Sequence, residues 1–333
     1  MIARLHVLLP VWLTVPQGET FPIYEYADQD YRVRVFPPVK SDRVLPADRV
    51  SELRLDGVPA FRVDALRIDF QRQSFDRSED LLFDPPKEVL GRAVNSFLIR
   101  LRYVIRAAAI RPLDFPLVTW RIQYLNDDES ELEKVENLVR TRHGVEFSFS
   151  LVALNRRIWD DIQNLPVGYE PPLWEDLLLD AHGDLPRVGP AVVLAATALE
   201  VFSSHILNQL AAKQQLSGDL WNWISRRGDN LRDPTVEEQL DVLLKFFTGH
   251  SLKDDARLWE SFKHLRTARN SFVHAGRASI GRSAISVETA RTLVASAVEI
   301  VAKVRSWLPD DLQWPIFKHT VKLETRIKLD GQA

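Results

Sequence analysis

The chain of 333 residues contains no cysteine, and this absence excludes several kinds of chemistry. Disulfide bonds, thiolate metal ligands and a cysteine nucleophile all require a thiol group. A chain without cysteine suits a reducing compartment, so we expect a cytoplasmic protein.

The motifs of several common enzyme classes are missing too. There is no Gly-x4-Gly-Lys loop, no Gly-x-Gly-x-x-Gly motif and no Gly-x-Ser-x-Gly elbow, so kinases, dinucleotide-dependent enzymes and elbow hydrolases are not predicted. The chain also has no His-Glu-x-x-His zinc motif and no Glu-x-Lys segment of the kind found in metal-dependent nucleases. We therefore expect no metal and no cofactor.

Long apolar runs and a strong net charge are absent as well. No run of 18 apolar residues occurs, so no membrane span is predicted, and the net charge of −3 predicts no general attraction to nucleic acids or membranes. Residues 1–15 are apolar, but Pro10 and His6 interrupt them and no small-x-small cleavage site follows. We expect a buried first strand there.

The length of the chain is typical of two domains, and an apolar content of 45% is ample for packed cores. The first half contains alternating patterns typical of strands, with helical patterns between them. The strand patterns lie at 31–36, 61–70, 118–124 and 145–151, and the helical patterns lie near 88–108, 131–142 and 154–165. An α+β domain is therefore predicted over 1–165, and we expect it to sense a signal or recruit a partner.

Residues 166–172, Pro-Val-Gly-Tyr-Glu-Pro-Pro, break both periodicities and form the predicted linker. Strand patterns largely disappear after them. Amphipathic helical patterns follow near 173–182, 188–213, 220–226, 236–247, 254–274 and 286–307. Residues 170–308 are therefore predicted to form an all-α bundle, and 309–333 a C-terminal tail that docks on either domain or frays.

The most informative segment is Ala268-Arg269-Asn270-Ser271-Phe272-Val273-His274-Ala275-Gly276. Apolar residues lead into it at helical spacing, at Leu258, Phe262, Leu265 and Phe272. Arg269 lies four residues after Leu265, on the same helix face. A guanidinium on an apolar face needs a partner, so Arg269 is either a buried structural ion pair or a site residue.

The helical half resembles the HEPN domain, a compact helical bundle of prokaryotic toxins, antiphage systems and RNA-processing factors. One likeness is the segment from Arg269 to His274, which matches the family's arginine and polar residue followed by a histidine. The other is the helix at 195–202, whose Glu200 matches an acidic residue that the family often turns towards that pair. The resemblance covers 170–308 and implies a metal-independent endoribonuclease acting as a toxin or antiphage effector.

The chemistry of these side chains agrees with what the resemblance implies. Cleavage of RNA without metal needs a base, an acid and a cation for the charged phosphorane. His274 can transfer protons near neutral pH, and Arg269 can bind the phosphate oxygens. Asn270 can orient the histidine or the phosphate, and Glu200 can hold the arginine. The expected products are a 2′,3′-cyclic phosphate and a 5′-hydroxyl.

Helix geometry restricts how these residues can act together. Five residues of a continuous α-helix turn by about 500°, which leaves Arg269 and His274 roughly 140° apart. Either the helix ends before His274, which Gly276 would allow, or two copies of the chain pool their residues. The resemblance implies the second arrangement, because HEPN-like nucleases are generally homodimers with both motifs at a shared cleft.

The charge near the motif favours RNA as a partner more than the whole chain does. Seven Lys or Arg and three acidic residues lie between Lys253 and Arg282, a local charge of +4. A solvated helix face has the same composition. The alternative function is therefore a non-catalytic HEPN-like module that binds RNA, a nucleotide or a protein partner. A scaffold built around its dimer interface is a third reading, and the sequence does not identify an antitoxin or regulatory partner.

Overall fold

A computed structural model describes residues 2–41, 50–72, 85–113, 119–130, 139–140, 151–226 and 233–327. The chain has an α+β fold and divides into two compact units. The first unit comprises Met1–Glu170 and Phe317–Ala333, and the second comprises Pro171–Ile316. The division between residues 170 and 171 falls inside the segment predicted as a linker.

A largely antiparallel sheet forms the first unit. Its strands in the described residues are β1 (Ile2–Pro16), β2 (Tyr24–Asp28), β3 (Tyr31–Val35), β4 (Val50–Leu55), β5 (Val58–Arg72), β6 (Trp120–Leu125), β7 (Val139–Arg140), β8 (Leu151–Ala153) and β11 (Leu323–Ile327). They are ordered β11-β4-β5-β1-β6-β7, with β3 beside β5 and β2 beside β3. Strand β8 pairs with β1 and is the parallel exception among the described pairs.

Strand β1 lies inside the sheet between β5 and β6. Its side chains alternate between the two faces of the sheet, so that Leu5 and Val7 are almost fully buried while His6 between them is half-buried. Pro10 lies between Leu8 and Leu13, where the pairing with β5 changes register. A proline has no amide hydrogen for the ladder, which explains the irregularity there. The predicted first strand is confirmed.

Helices α1 (Lys87–Ile105) and α2 (Arg156–Asn164) are the α-helices of the first unit in the described residues. Arg100 of α1 is 1% exposed, and its guanidinium donates hydrogen bonds to the carbonyls of Ile162 and Leu165 at the end of α2. It also donates to the hydroxyl of Tyr24 at 2.9 Å. Arg100 therefore joins α1, α2 and β2 through hydrogen bonds in the core.

Several predictions for the first half agree with these elements. The patterns at 31–36, 61–70 and 118–124 overlap β3, β5 and β6, and those near 88–108 and 154–165 overlap α1 and α2. The helix predicted at 131–142 is wrong at Val139–Arg140, which pair with β6 as β7. The rest of that pattern lies outside the described residues, as does the strand pattern at 145–151 except for Leu151, which begins β8.

The second unit is mainly helical. Its helices are α3 (Leu173–Gly183), α4 (Val188–Lys213), α5 (Gly218–Arg226), α6 (Val236–Glu238), α7 (Leu244–Thr248), α8 (Ala256–Ala275) and α9 (Val287–Arg305), with a π-helical turn at Gln239–Leu243 between α6 and α7. Capping explains where several of them begin. Ser286, predicted as an N-cap, accepts a hydrogen bond from the amide of Thr289 at the start of α9.

Helix α4 is the central element of this unit and contacts α3, α8 and α9. Its Leu199, Phe202 and Ile206 are at most 1% exposed. By length and composition α4 is apolar enough to cross a membrane, although the sequence contains no uninterrupted apolar run of that length. However, 56% of its most apolar window is buried inside the structure, which is consistent with the core helix of a soluble protein.

Two features of the second half differ from the all-helical bundle and tail that the sequence predicts. A two-stranded ribbon, β9 (Ser279–Ile280) and β10 (Ser283–Ala284), separates α8 from α9. The segment predicted as a tail at 309–333 belongs to both units, with Trp314 buried in the second and β11 paired with β4 in the first. The Trp314 indole donates a hydrogen bond to the buried Glu175 at 3.0 Å, which fixes this segment.

Candidate functional site

Helix α8 carries Arg269, Asn270 and His274 in one continuous element. The Asp255 side chain caps its start by accepting a hydrogen bond from the Leu258 amide. It ends after Ala275, where Gly276 adopts φ +68° and donates its amide to the Phe272 carbonyl. The possibility that the helix ends before His274 is therefore wrong, and the two ends of the motif point in different directions around α8.

All four predicted site residues nevertheless line a single cavity of ≈ 860 Å³ in the second unit. Helix α4 contributes Ala196, Leu199 and Glu200 to its wall. The segment at the start of α6 contributes Asp233, Thr235 and Val236, and α8 contributes Phe262, Leu265, Arg266, Thr267, Arg269, Asn270, Ser271 and His274. The cavity thus combines apolar side chains, such as Leu199 and Phe262, with ionisable groups from helices that are far apart in sequence.

Arg269 faces this cavity as a half-buried residue. Its Nη2 lies 3.6 Å from Oε1 of Glu200, and its Nη1 donates a hydrogen bond to Oδ1 of Asn270 at 3.1 Å. The side chains of Arg269 and Glu200 are 30% and 41% exposed. The Nε atom of Arg269 is buried and has no hydrogen-bond partner in the described part of the chain. The guanidinium is therefore held by Glu200 and Asn270 at the cavity wall rather than sealed in the core.

Asn270 and His274 are both exposed and lie four residues apart, on one side of α8. No hydrogen bond involves His274 within the described ranges, so its imidazole is available to a ligand. Arg266, four residues before Asn270, continues the same row. Successive members of this row are offset by about 40° around the helix axis, against about 140° between Arg269 and His274.

Sequence reasoning missed Arg266 and Asp233, which also line the cavity. Arg266 forms a half-exposed ion pair with Glu237 of α6. The signal that identifies Arg266 is the four-residue step to Asn270 and then to His274. No local pattern identifies Asp233, which precedes α6 and reaches the cavity wall where α6 contacts α4.

A close approach of two helices holds the motif in place. A Cβ atom built on Gly189, at the start of α4, would lie 2.0 Å from Cε2 of Phe272 on α8. Only a glycine leaves room for this ring. The ring belongs to the turn between Arg269 and His274, so the contact fixes the part of α8 that carries both residues. The Ser271 hydroxyl ties the same turn to the carbonyl of Arg277 beyond the helix end.

The basic segment from Lys253 to Arg282 is largely neutralised by neighbouring carboxylates. Its ion pairs are Lys253–Asp241, Arg257–Glu299, Lys263–Glu260, Arg266–Glu237 and Arg269–Glu200. Arg277 and Arg282 have no ion pair among the described residues. The segment therefore attracts a polyanion less than its local charge of +4 implies. Exposed pairs of this kind contribute only about 0–1 kcal/mol each, so a phosphate can still displace a carboxylate.

No group of three or more His, Asp or Glu residues with metal-binding geometry occurs where the structure describes the chain. The site consists instead of one imidazole, guanidinium groups, an amide and carboxylates around a cavity. No protein-family model, curated protein or solved structure matches the chain. What the site can do therefore has to be argued from its own chemistry.

Proposed function

We propose that this protein is a metal-independent endoribonuclease whose second unit is a HEPN-like bundle. The observation that carries the proposal is that Arg269, Asn270, His274 and Glu200, from two different helices, line one cavity. A cavity of ≈ 860 Å³ has room for a nucleotide and its flanking phosphate.

In the proposed reaction the ribose 2′-oxygen attacks the adjacent phosphorus and the bond to the 5′-oxygen breaks. A base removes the 2′-hydroxyl proton, and an acid gives a proton to the departing 5′-oxygen. The products are a 2′,3′-cyclic phosphate and a 5′-hydroxyl. Among the described residues the cavity offers one imidazole, His274, which transfers one of these protons while water transfers the other. In a homodimer, His274 of one copy and Arg269 of the other act on the same phosphate.

The charge that grows on the phosphate oxygens needs a cation that is already in position. Arg269 is suited to this role because Glu200 and Asn270 hold its guanidinium at the cavity wall. Arg266 is a second candidate, since it lies in the row of Asn270 and His274. Asn270 then orients the phosphate or the imidazole, and Glu200 positions Arg269 between turnovers.

Such an activity suits a cytoplasmic toxin or antiphage effector, with RNA as its partner. In this scheme the first unit senses a trigger or recruits a partner.

The test is cleavage of total cellular RNA in EDTA by the wild type, His274→Ala and His264→Ala. His264 is exposed on the same helix and is not part of the cavity wall, so it is the matched control. We expect cleavage by the wild type and His264→Ala, with 5′-hydroxyl ends that a kinase labels without prior phosphatase treatment. We expect His274→Ala to lose about 10²–10⁴-fold in rate, the usual contribution of a general acid or base. Equal cleavage by all three proteins would contradict the proposal.

The second candidate is a non-catalytic HEPN-like module that binds RNA, a nucleotide or a protein. The observation in its favour is that Glu200 already neutralises the guanidinium of Arg269, which leaves less positive charge for a phosphorane. Saturable RNA binding that is lost in Arg269→Ala, without cleavage by the wild type, would support this function instead.

A further inference from the structure

The sheet of the first unit carries a row of basic side chains on the half-open face of β1. Arg4 and His6 project from this face of β1. Arg4 lies opposite Asp69 of β5, and His6 lies between Arg67 of β5 and Arg121 of β6. Residues directly opposite on neighbouring strands have adjacent side chains, so these five groups form one cluster.

Two carboxylates, Asp69 of this cluster and Glu129 beside it, are shared among Arg4, Arg67 and Arg34. Asp69, which is 1% exposed, accepts hydrogen bonds from Arg4 at 2.8 Å and from Arg67 at 3.3 Å. Glu129 accepts hydrogen bonds from the same two arginines and from Arg34. Three guanidinium groups and two carboxylates leave one positive charge in excess.

The arginines of this cluster are held in place by an aromatic ring. The guanidinium carbon of Arg67 lies 3.7 Å from the centre of the Phe36 ring, and that of Arg34 lies 5.2 Å from it. Stacking of this kind fixes the guanidinium planes. The excess charge is therefore rigidly placed rather than spread over mobile side chains.

A cavity of ≈ 400 Å³ opens beside this cluster, and its polar wall is basic. His6, Arg121 and Lys40 line it, and no Asp or Glu does so among the described residues. Arg121 and Lys40 are exposed and have no ion pair in the part of the chain that the structure describes. The nearby Asp64 accepts two hydrogen bonds from Ser41, which fixes the residue next to Lys40.

We propose that this cavity of the first unit binds a small molecule carrying a phosphate monoester, with Arg121, Lys40 and His6 as its phosphate ligands. Arg121 and Lys40 have no ion pair among the described residues and lie near the three arginines that carry one excess charge, so together they match a phosphate dianion. The remaining wall combines apolar residues, among them Leu8, Val39 and Ala65, with the uncharged polar residues Ser41, Thr119 and Gln123. This wall suits an uncharged organic group the size of a nucleoside, and the volume is at the lower end for ligand sites.

Protonation of His6 makes the site dependent on pH. Burial lowers the pKa of His6 below its ordinary value of 6.5, and repulsion by Arg67, Arg4 and Arg121 lowers it further, with Asp69 opposing the shift. A bound phosphate would offset this repulsion. Above the second pKa of a phosphate monoester, about 6, binding should therefore tighten as the pH falls and be accompanied by proton uptake.

The site lies in the first unit, so its ligand is independent of the nuclease proposed for the second. Calorimetric titration of the full chain with AMP, inorganic phosphate and adenosine tests the proposed site. A second titration, with an RNA analogue that has 2′-O-methyl groups and no terminal phosphate, tests whether the site binds a polyanion instead. We expect AMP to bind with a Kd below about 1 mM and adenosine, which lacks the phosphate, not to bind. Arg121→Gln and Lys40→Gln should each weaken AMP binding by about ten- to a hundredfold.

Arg157→Gln is the matched control, because Arg157 is an exposed arginine on α2 that does not line the cavity. It should bind AMP as tightly as the wild type does. Absence of saturable AMP binding at millimolar concentration would overturn the proposal, and so would equal weakening by Arg157→Gln and Arg121→Gln. Binding of the RNA analogue alone, lost in Arg121→Gln, would replace the small-molecule site with a polyanion surface.

Discussion

Arg269 of α8 and Glu200 of α4 meet at the wall of the large cavity, with 3.6 Å between Nη2 and Oε1. Both side chains remain partly exposed, at 30% and 41%. A buried structural pair would have lost its contact with solvent, whereas this pair keeps a guanidinium accessible and oriented. The contact therefore fits a site in which a phosphate group replaces the Glu200 carboxylate as the partner of Arg269.

The exposure of this pair leads to a prediction about stability. Arg269→Ala should lower the free energy of unfolding by about 1 kcal/mol or less, because exposed pairs contribute little. Urea denaturation measures the change, with Arg266→Ala as the control, since its pair with Glu237 has similar exposure. A loss of about 3–5 kcal/mol would instead identify the buried structural pair that the sequence also allows.

The sequence predicts much of this site because one helix carries most of it. The spacing of apolar residues identifies α8, and helical geometry then fixes the angle between Arg269 and His274. Glu200 is a different case, since only the family resemblance connects it with α8. The structure brings Glu200 to within 3.6 Å of Arg269 through the packing of α4 against α8.

Features that depend on packing between distant segments could not be predicted. The order of strands in the first unit is one example, because the 15-residue strands β1 and β5 pair across a long intervening segment. The charge of the basic segment is another. Its carboxylate partners Glu200, Glu237 and Glu299 lie on three other helices, so a local count of charges gives the wrong electrostatics.

Gly189→Ala should disturb both the stability and the site of the second unit. The added methyl group would lie 2.0 Å from the Phe272 ring, and overpacking of this kind costs about 1–3 kcal/mol. Displacement of that ring moves the turn between Arg269 and His274. Gly218→Ala is the control, because nothing lies within 4 Å of its Cβ position. Urea denaturation of both variants, together with RNA cleavage, tests this, and equal stability of the two would contradict it.

Arg100→Met should destabilise the first unit by at least about 3 kcal/mol, because several buried acceptors then lose their donor at about 1–3 kcal/mol each. The side chain is 1% exposed and donates to two carbonyls at the end of α2 and to the Tyr24 hydroxyl. Urea denaturation followed by tryptophan fluorescence reports on this region, since Trp159 of α2 packs against Tyr24. Arg157→Met, on the exposed side of α2, should change stability little, and a similar loss there would contradict the assignment.

His6→Gln should make the protein less sensitive to acid. The pKa of His6 is lowered in the folded protein, first by burial and then by the neighbouring arginines. The unfolded chain therefore binds a proton at His6 more readily than the folded protein does. The folding stability associated with neutral His6 is thus present above pH 6.5 and is lost as the pH falls through the pKa of His6 in the folded protein. The Tm of the variant relative to that of the wild type should rise as the pH is lowered from about 7.5 to about 5, the range in which histidine titrates. His264→Gln is the control, and parallel behaviour of the two variants would contradict the prediction.

Mixing two inactive variants tests whether two copies pool their residues. Because α8 is continuous through His274, one copy does not readily aim Arg269 and His274 at the same phosphate. If an active site takes its arginine from one copy and its histidine from the other, a dimer of Arg269→Ala with His274→Ala retains one complete site. After unfolding and refolding of an equal mixture, about a quarter of the wild-type cleavage rate should return, since half the dimers are mixed and each has one of two sites. Each variant refolded alone is the control. A mixture as inactive as its components would mean that both residues act from the same copy.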